Sequence, residues 1–264
     1  MTNVTRDDEP PHFVLLPFMA QGHTIPIIDI ARLLAQRGVI VTILMTPLNA
    51  IRFNNVIARV VEKGLNIYII HIKFPSLKAG LPQDCENFDI FLSIDMIKKF
   101  FNATQMLETQ VELLLQDLKP NCLISDLCFP WTTNVAMRIG IPRIVFHGMG
   151  SFSLLCLHNL RDVKLLESVE SENEYFFVLG LPNKVEVTKA QVKALVDPCN
   201  PEWRELGDQM KEGEAQAYGI VVNSFEKLKP QYVQGVKKAK GNVKVHDYLI
   251  SKFKSCHIIL CLNK

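Results

Sequence analysis

Six short runs of β-branched and other apolar residues, spaced along the chain and separated by stretches of helical periodicity, limit what this chain can fold into more than any other feature. The runs are HFVLLPF (12–18), VIVTILMT (39–46), LNIYIIHI (65–72), NCLISD (121–126), RIVFH (143–147) and YGIVVNSF (218–225). Each is short and mostly continuous in its hydrophobicity, as strands buried on both faces are. Between the first two, IPIIDIARLLAQRG repeats its apolar positions at helical spacing and stops at Gly38, a residue suited to the position just past a helix end. Helices are also expected over 88–118, 130–139, 201–216 and 226–240. Strand and helix in alternation predict an α/β fold, a Rossmann-like doubly wound parallel sheet.

At 264 residues and 48% hydrophobic content, the chain has ample material for a buried core. The net charge of +2 is spread among intermingled acidic and basic residues, which argues against a nucleic-acid or anionic-membrane partner. The one basic patch, GVKKAKGNVK, reads as a solvated helix end. The opening MTNVTRDDEPPH is polar and has no apolar signal core, so residues 1–11 are expected to be a disordered tail. No apolar run is long enough to span a bilayer, and a cytoplasmic address follows as the default. Seven cysteines form no C-x-x-C pair and no zinc spacing, so reduced thiols and no metal site are expected.

The first run breaks in PFMAQGHTIP, where His23 stands between a strand and a helix. With the usual strand order 3-2-1-4-5-6, the first and fourth strands are neighbours at the switch point, where ligands bind beyond the carboxyl ends. His23 follows the first strand and Asp126 ends the fourth, so residues far apart in the chain are expected to meet there. A neutral imidazole can take a proton from a hydroxyl, while a carboxylate on its other nitrogen fixes the tautomer and stabilises the imidazolium. The positive end of the following helix is expected to favour the neutral ring.

Other chemistries lack their motifs. There is no G-x-S-x-G elbow, no G-x-G-x-x-G after the first strand and no Walker lysine. A base acting on a substrate hydroxyl is what remains. Two plainer readings stay open: His23 as a loop or cap residue, and Asp126 as the N-cap of the helix near Pro130.

HFVLLPFMAQGHTIPIIDIARLLAQRGVIVTILMTPLNAIRF closely resembles the opening of plant UDP-dependent glycosyltransferases of small molecules. FPSLKAGLPQDCENFD, CLISDLCFPWTTNVAMRIGIPRIVFHGMGSFSL and YGIVVNSFEKLKPQYV resemble later segments of that family in the right order. GLPQDCEN and FHGMGSFSL are similar to the branch acting on flavonoids, triterpenoids and related metabolites. The resemblance implies the N-terminal half of a two-domain GT-B fold, with an acceptor domain over 12–245. It implies His23 as catalytic base and Asp126 as its supporting carboxylate. The acceptor hydroxyl would attack the anomeric carbon of a hexose, glucose being expected, and UDP would leave with inversion. No metal or cofactor is implied, the UDP-sugar being a co-substrate. Phe18, Gly22, Phe129, Phe146, Met149 and Ser151 are then expected to line a pocket for a small hydrophobic acceptor, and His147 to lie near the donor sugar.

The family's donor-binding signature has no counterpart in the chain. Trp131 and Trp203 both fall in the acceptor-like part, and after GNVKV the chain diverges into a tail over 246–264. The expectation is an acceptor domain whose C-terminal donor-binding domain is absent, and which is inactive alone. The competing expectation is a non-catalytic module that binds metabolites or regulates a relative.

Overall fold

The computed structural model describes residues 10–61, 64–90, 93–161, 169–196, 201–224, 227, 229–241 and 259–262. The chain divides into two compact units, the first formed by the residues up to Phe146 with Gln216–Tyr218, the second by His147–Ala215 and Gly219–Lys264.

Every strand expected in the first unit is present: β1 (His12–Leu16), β2 (Ile40–Met45), β3 (Ile67–His71), β4 (Cys122–Asp126) and β5 (Arg143–His147). They are parallel and lie in the order β3-β2-β1-β4-β5. Chain direction across the sheet therefore reverses between β1 and β4, the switch point that the sequence predicts. The register sets Leu16 opposite Ser125 and Asp126 opposite Phe146, so the three central strands end side by side. All of β4 is buried, which accounts for the continuous apolar run of a strand covered on both faces.

Helix α1 (Gln21–Ala35) buries Ile27, Ile28, Ile30, Ala31 and Leu34 along one stripe. The helix begins four residues before Ile25, so His23 sits inside its first turn rather than in the loop before it. Pro26 is tolerated there because the bond it cannot make is to the carbonyl of Gly22, an exposed residue that water can satisfy. After β2 come α2 (Pro47–Arg52) and α3 (Asn54–Val61). The helix expected over 88–118 is instead a short 3-10 turn at Phe88–Ile90 followed by α4 (Ile94–Gln105) and α5 (Glu108–Leu118). Ser93 starts α4 by accepting the Met96 N–H at 3.3 Å. Thr104 bonds back to the Phe101 carbonyl at 2.7 Å, and the helix breaks just beyond, where Leu107 turns into the core. Helix α6 (Thr132–Ile139) ends at Gly140, whose φ of 77° is the left-handed conformation that closes helices.

In the second unit, α7 (Ser151–Arg161) is followed by an antiparallel pair, β6 (Tyr175–Phe177) and β7 (Glu186–Thr188), then α8 (Lys189–Val196) and α9 (Pro201–Ala215). The sixth expected strand is β8 (Gly219–Val222), and α10 (Pro230–Ala239) starts at its proline, the expected start at Glu226 lying outside the described residues. Part of the divergent tail forms β9 (Ile259–Leu262), antiparallel to β8 with Ile259 opposite Val222. The expected N-terminal tail to residue 9, residues 242–258 of the C-terminal stretch, and Cys199 and Cys256 lie outside the described residues; Cys85, Cys122, Cys128 and Cys156 are free thiols. Neither α7 nor the β6–β7 pair is legible in the strand-and-helix alternation.

Candidate active site

At the carboxyl end of β1 the chain extends through Ala20 and turns into α1, with the N–H groups of His23 and Thr24 both donating to the Ala20 carbonyl at 3.0 and 2.9 Å. The Thr24 hydroxyl fixes the same turn by donating to the Phe18 carbonyl at 3.0 Å. His23 is thereby aimed across the switch point at β4. Its Nδ1 lies 2.6 Å from Asp126 Oδ2.

Asp126 is fully buried, and its other oxygen accepts the Cys128 N–H at 3.0 Å. It does not cap α6, whose N-cap position is Trp131. Both carboxylate oxygens are therefore occupied by the turn and the histidine, which settles one of the two plainer readings.

A buried arginine to which sequence pattern assigns no role holds this turn together. Arg143, 3% exposed at the start of β5, donates to the carbonyls of Asp126 and Phe129 at 3.1 and 3.2 Å and to Ser125 Oγ at 2.7 Å. It also bonds the Thr133 hydroxyl. Thr132 adds a bond from its hydroxyl to the Phe129 carbonyl at 2.6 Å. A buried guanidinium is tolerable only where its donors are matched in this way. A lone Arg opening a buried strand was the available signal.

Burial pushes the His23 ring toward its neutral form, but the hydrogen bond and charge of Asp126, with a smaller contribution from Asp89, outweigh it and raise its pKa above 6.5. The expected bias of the helix end toward a neutral ring does not prevail; the carboxylate in contact does. With Nδ1 committed to Asp126, the proton on that nitrogen points at the carboxylate and Nε2 carries the lone pair. The side chain keeps 27% of its surface exposed. This arrangement can accept one proton at Nε2, with the carboxylate facing the resulting charge.

Phe18 is the hub of an aromatic cluster, its ring 5.4 Å from His23 edge-on and 5.3 to 5.9 Å from Phe88, Phe100, Phe101 and Phe129. Phe18, Phe129 and Phe146 are 2%, 0% and 0% exposed, so they stand behind the surface and stiffen it. Gly22 is exposed, and a Cβ there would meet nothing within 4 Å. In the second unit, Met149 is exposed, and Ser151 is buried with its hydroxyl 2.8 Å from that of Ser224. His147 is buried with Nε2 2.6 Å from Glu214, whose other oxygen pairs with Lys240, while its Nδ1 has no partner among the described residues. Among the described residues no three His, Cys, Asp or Glu side chains are grouped to hold a metal, and no helix is long and apolar enough to cross a membrane.

A parallel sheet with order 3-2-1-4-5 and a His–Asp pair at its switch point define a Rossmann-like α/β unit. Comparison with known proteins makes this particular: the chain is homologous to plant UDP-glycosyltransferases. It is 50% identical over 231 residues to UDP-glycosyltransferase 73C3 of Arabidopsis thaliana, which covers 86% of this chain and 46% of that protein. It is 46% identical over 244 residues to UDP-glycosyltransferase 73C10 of Barbarea vulgaris, covering 91% of this chain and 49% of that one. The chain thus spans about half the length of the curated relatives it matches. Among solved structures, Glycyrrhiza uralensis UGT73P12 complexed with glycyrrhetinic acid 3-O-monoglucuronide superposes with a TM-score of 0.79 at 29% identity, over 94% of this chain and 51% of that one. Phytolacca americana UGT2, complexed with UDP-2fluoro-glucose and pterostilbene, shares the fold at a TM-score of 0.64 and 22% identity, over 88% and 52% of the two chains. The GT-B assignment rests on these neighbours. No family model matches the chain.

Proposed function

We propose that this chain is the acceptor-binding and proton-accepting part of a UDP-glycosyltransferase, with His23 as the base that deprotonates an acceptor hydroxyl. The observation that carries the reading is the 2.6 Å contact between His23 Nδ1 and the buried Asp126 carboxylate, which leaves Nε2 as the proton acceptor. As the acceptor oxygen attacks the anomeric carbon, its proton passes to Nε2, the bond from that carbon to the UDP oxygen breaks, and configuration inverts. Asp126 then faces an imidazolium and stabilises it. The hexose is glucose and the acceptor is a flavonoid or triterpenoid in this reading, which is supported by the motifs GLPQDCEN and FHGMGSFSL and by the acceptor-bound relatives. Neither metal nor cofactor takes part.

Nothing in the 264 residues of the chain matches the family's donor-binding signature. In this reading the groups that neutralise the departing diphosphate lie in the part of the relatives that the 264 residues do not span, so this stretch alone is expected to transfer little or no sugar. The test supplies UDP-glucose and a panel of flavonoid and triterpenoid acceptors, first to this chain and then to this chain joined to the second half of a relative. Expected are saturable acceptor binding without product by the chain alone, and hexosylated product from the joined protein that disappears in His23→Ala and persists in EDTA. Undiminished product from His23→Ala would overturn the reading. Acceptor binding without transfer, even in a joined protein that binds UDP, would favour a non-catalytic binding module.

A further inference from the structure

The segment Leu81–Ile90 is wired to the starts of two helices. The Glu86 carboxylate accepts the Leu48 N–H at 3.1 Å in the first turn of α2, and the Glu86 carbonyl accepts from the Asn49 amide at 3.2 Å. Two residues on, Phe88 N–H donates to the Met19 carbonyl at 2.8 Å, just before α1. Asp89 then accepts the Gln21 N–H through Oδ2 at 3.1 Å. Ala20, the N-cap of α1, offers no side-chain bond, and Asp89 supplies from another segment an acceptor for one of the four N–H groups that a helix start leaves unpaired. Arg52 at the end of α2 holds this carboxylate at 2.7 Å, and it also reaches Asn87 Oδ1 at 3.0 Å and Gln21 Oε1 at 3.4 Å.

We propose that Asp89 is a positioning residue for His23: its carboxylate, held by Arg52, anchors the first turn of α1 and sets the charge beside the His23–Asp126 pair. The proposal rests on the reading of His23 as the base. Residue 89 is tied at Gln21, two positions before His23, so its hold on the helix start fixes the backbone from which the imidazole reaches Asp126. A negative charge at a helix N-terminus also stabilises that helix and offsets its positive end, which otherwise opposes an imidazolium. Among the described residues, the charges that act on His23 are those of Asp126 from β4 and, more weakly, Asp89 from the Leu81–Ile90 segment, and Arg52 from α2 pairs with Asp89. The Cys128 thiol beside Asp126 is kept protonated by burial and by that carboxylate.

The roles of Asp89 and Arg52 are opposite in sign, and this separates positioning with charge from simple capping. Asn at 89 keeps an oxygen for the Gln21 N–H but removes the charge, so a mere cap would leave the histidine untouched. The experiment is NMR titration of the His23 ring in the 264-residue chain, with circular dichroism to establish folding. In Asp89→Asn, His23 is expected to titrate at lower pH than in the unaltered chain; in Arg52→Gln, which unmasks the Asp89 charge, at higher pH. An unchanged titration in folded Asp89→Asn overturns the proposal. If Asp89→Asn does not fold, Arg52→Gln decides alone, an upward shift supporting the proposal and no shift overturning it. The readout needs no sugar transfer, so it is independent of the outcome of the His23→Ala transfer assay.

Discussion

His23 Nδ1 and Asp126 Oδ2 lie 2.6 Å apart although 103 positions separate the residues, because β1 and β4 are neighbours whose carboxyl ends coincide. Replacing Asp126 with Asn removes the charge and lets the side-chain amide donate to Nδ1, which would put the ring's proton on Nε2, the atom proposed to accept one. In a transfer-competent protein containing this chain, Asp126→Asn is expected to lower kcat by about 10²- to 10⁴-fold with a smaller change in acceptor KM. Steady-state kinetics at fixed UDP-sugar would measure it, and activity within a fewfold of the unaltered protein would remove Asp126 from the mechanism.

The same pair predicts a pH dependence of stability. His23 titrates above 6.5 in the folded state because Asp126 outweighs burial. A group with a raised folded pKa contributes stability that is fully present below its unfolded value, near pH 6.5, and is lost as pH rises through the folded value. Urea unfolding of the chain and of His23→Gln should therefore differ most at pH 5.5, and the difference should shrink toward pH 8.5. A gap that widened with pH would mean that the ring is stabilised neutral.

Arg143 makes a stability prediction of its own. Arg143→Leu would remove the charged donors that reach the Asp126 and Phe129 carbonyls at 3.1 and 3.2 Å, leaving those carbonyls only the Phe129 N–H and the Thr132 N–H and hydroxyl. A hydrogen bond to a charged group contributes about 1.5–3 kcal/mol, so the variant should unfold at clearly lower urea or not accumulate folded. Arg143→Lys, with fewer donors in a different geometry, should fall between the two. Equal midpoints for all three would show that the guanidinium is dispensable to the turn.

How much of this was legible follows from which physics each residue obeys. The strands were readable because burial on both faces writes itself as continuous apolar runs, and β4 is buried at every position. The His23–Asp126 meeting was readable because strand order alone brings those ends together. The start of α1 was not, since Pro26 suggests a beginning near itself, whereas the exposed Gly22 carbonyl can forgo its bond. Nor were Arg143 and Asp89, whose partners are backbone groups that leave no pattern in side-chain spacing. His147 was legible as a residue at a strand end, but its partner Glu214, 67 positions away on α9, was not.

Glu214 gives an acid-limb prediction within the second unit. Burial alone would raise its pKa, but the hydrogen bond and charge of His147, with the Lys240 ammonium, bring it down to about 2. A carboxylate with a depressed pKa contributes stability that is present above its unfolded value, about 4.3, and is lost as pH falls through the folded one. The unaltered chain should lose stability between pH 4.5 and 2 more steeply than Glu214→Gln does. Parallel acid titrations followed by circular dichroism measure the difference, and coincident acid transitions would show the Glu214 contribution to be absent.

Gly22 separates a requirement of the backbone from one of the ligand. Its φ is not in the left-handed region and a Cβ would meet nothing within 4 Å, so the fold itself does not demand glycine at this position of α1. Gly22→Ala should then leave the Tm unchanged or raise stability by up to about 1 kcal/mol, since alanine loses less freedom on entering a helix. A larger side chain in the same open space sits next to His23 and competes with whatever approaches Nε2. Gly22→Leu is accordingly expected to fold normally and to weaken acceptor binding at least about tenfold, or about 1.4 kcal/mol, as read by fluorescence or calorimetry on the chain alone. Unchanged binding by a folded Gly22→Leu protein would place the acceptor's approach elsewhere than over the first turn of α1.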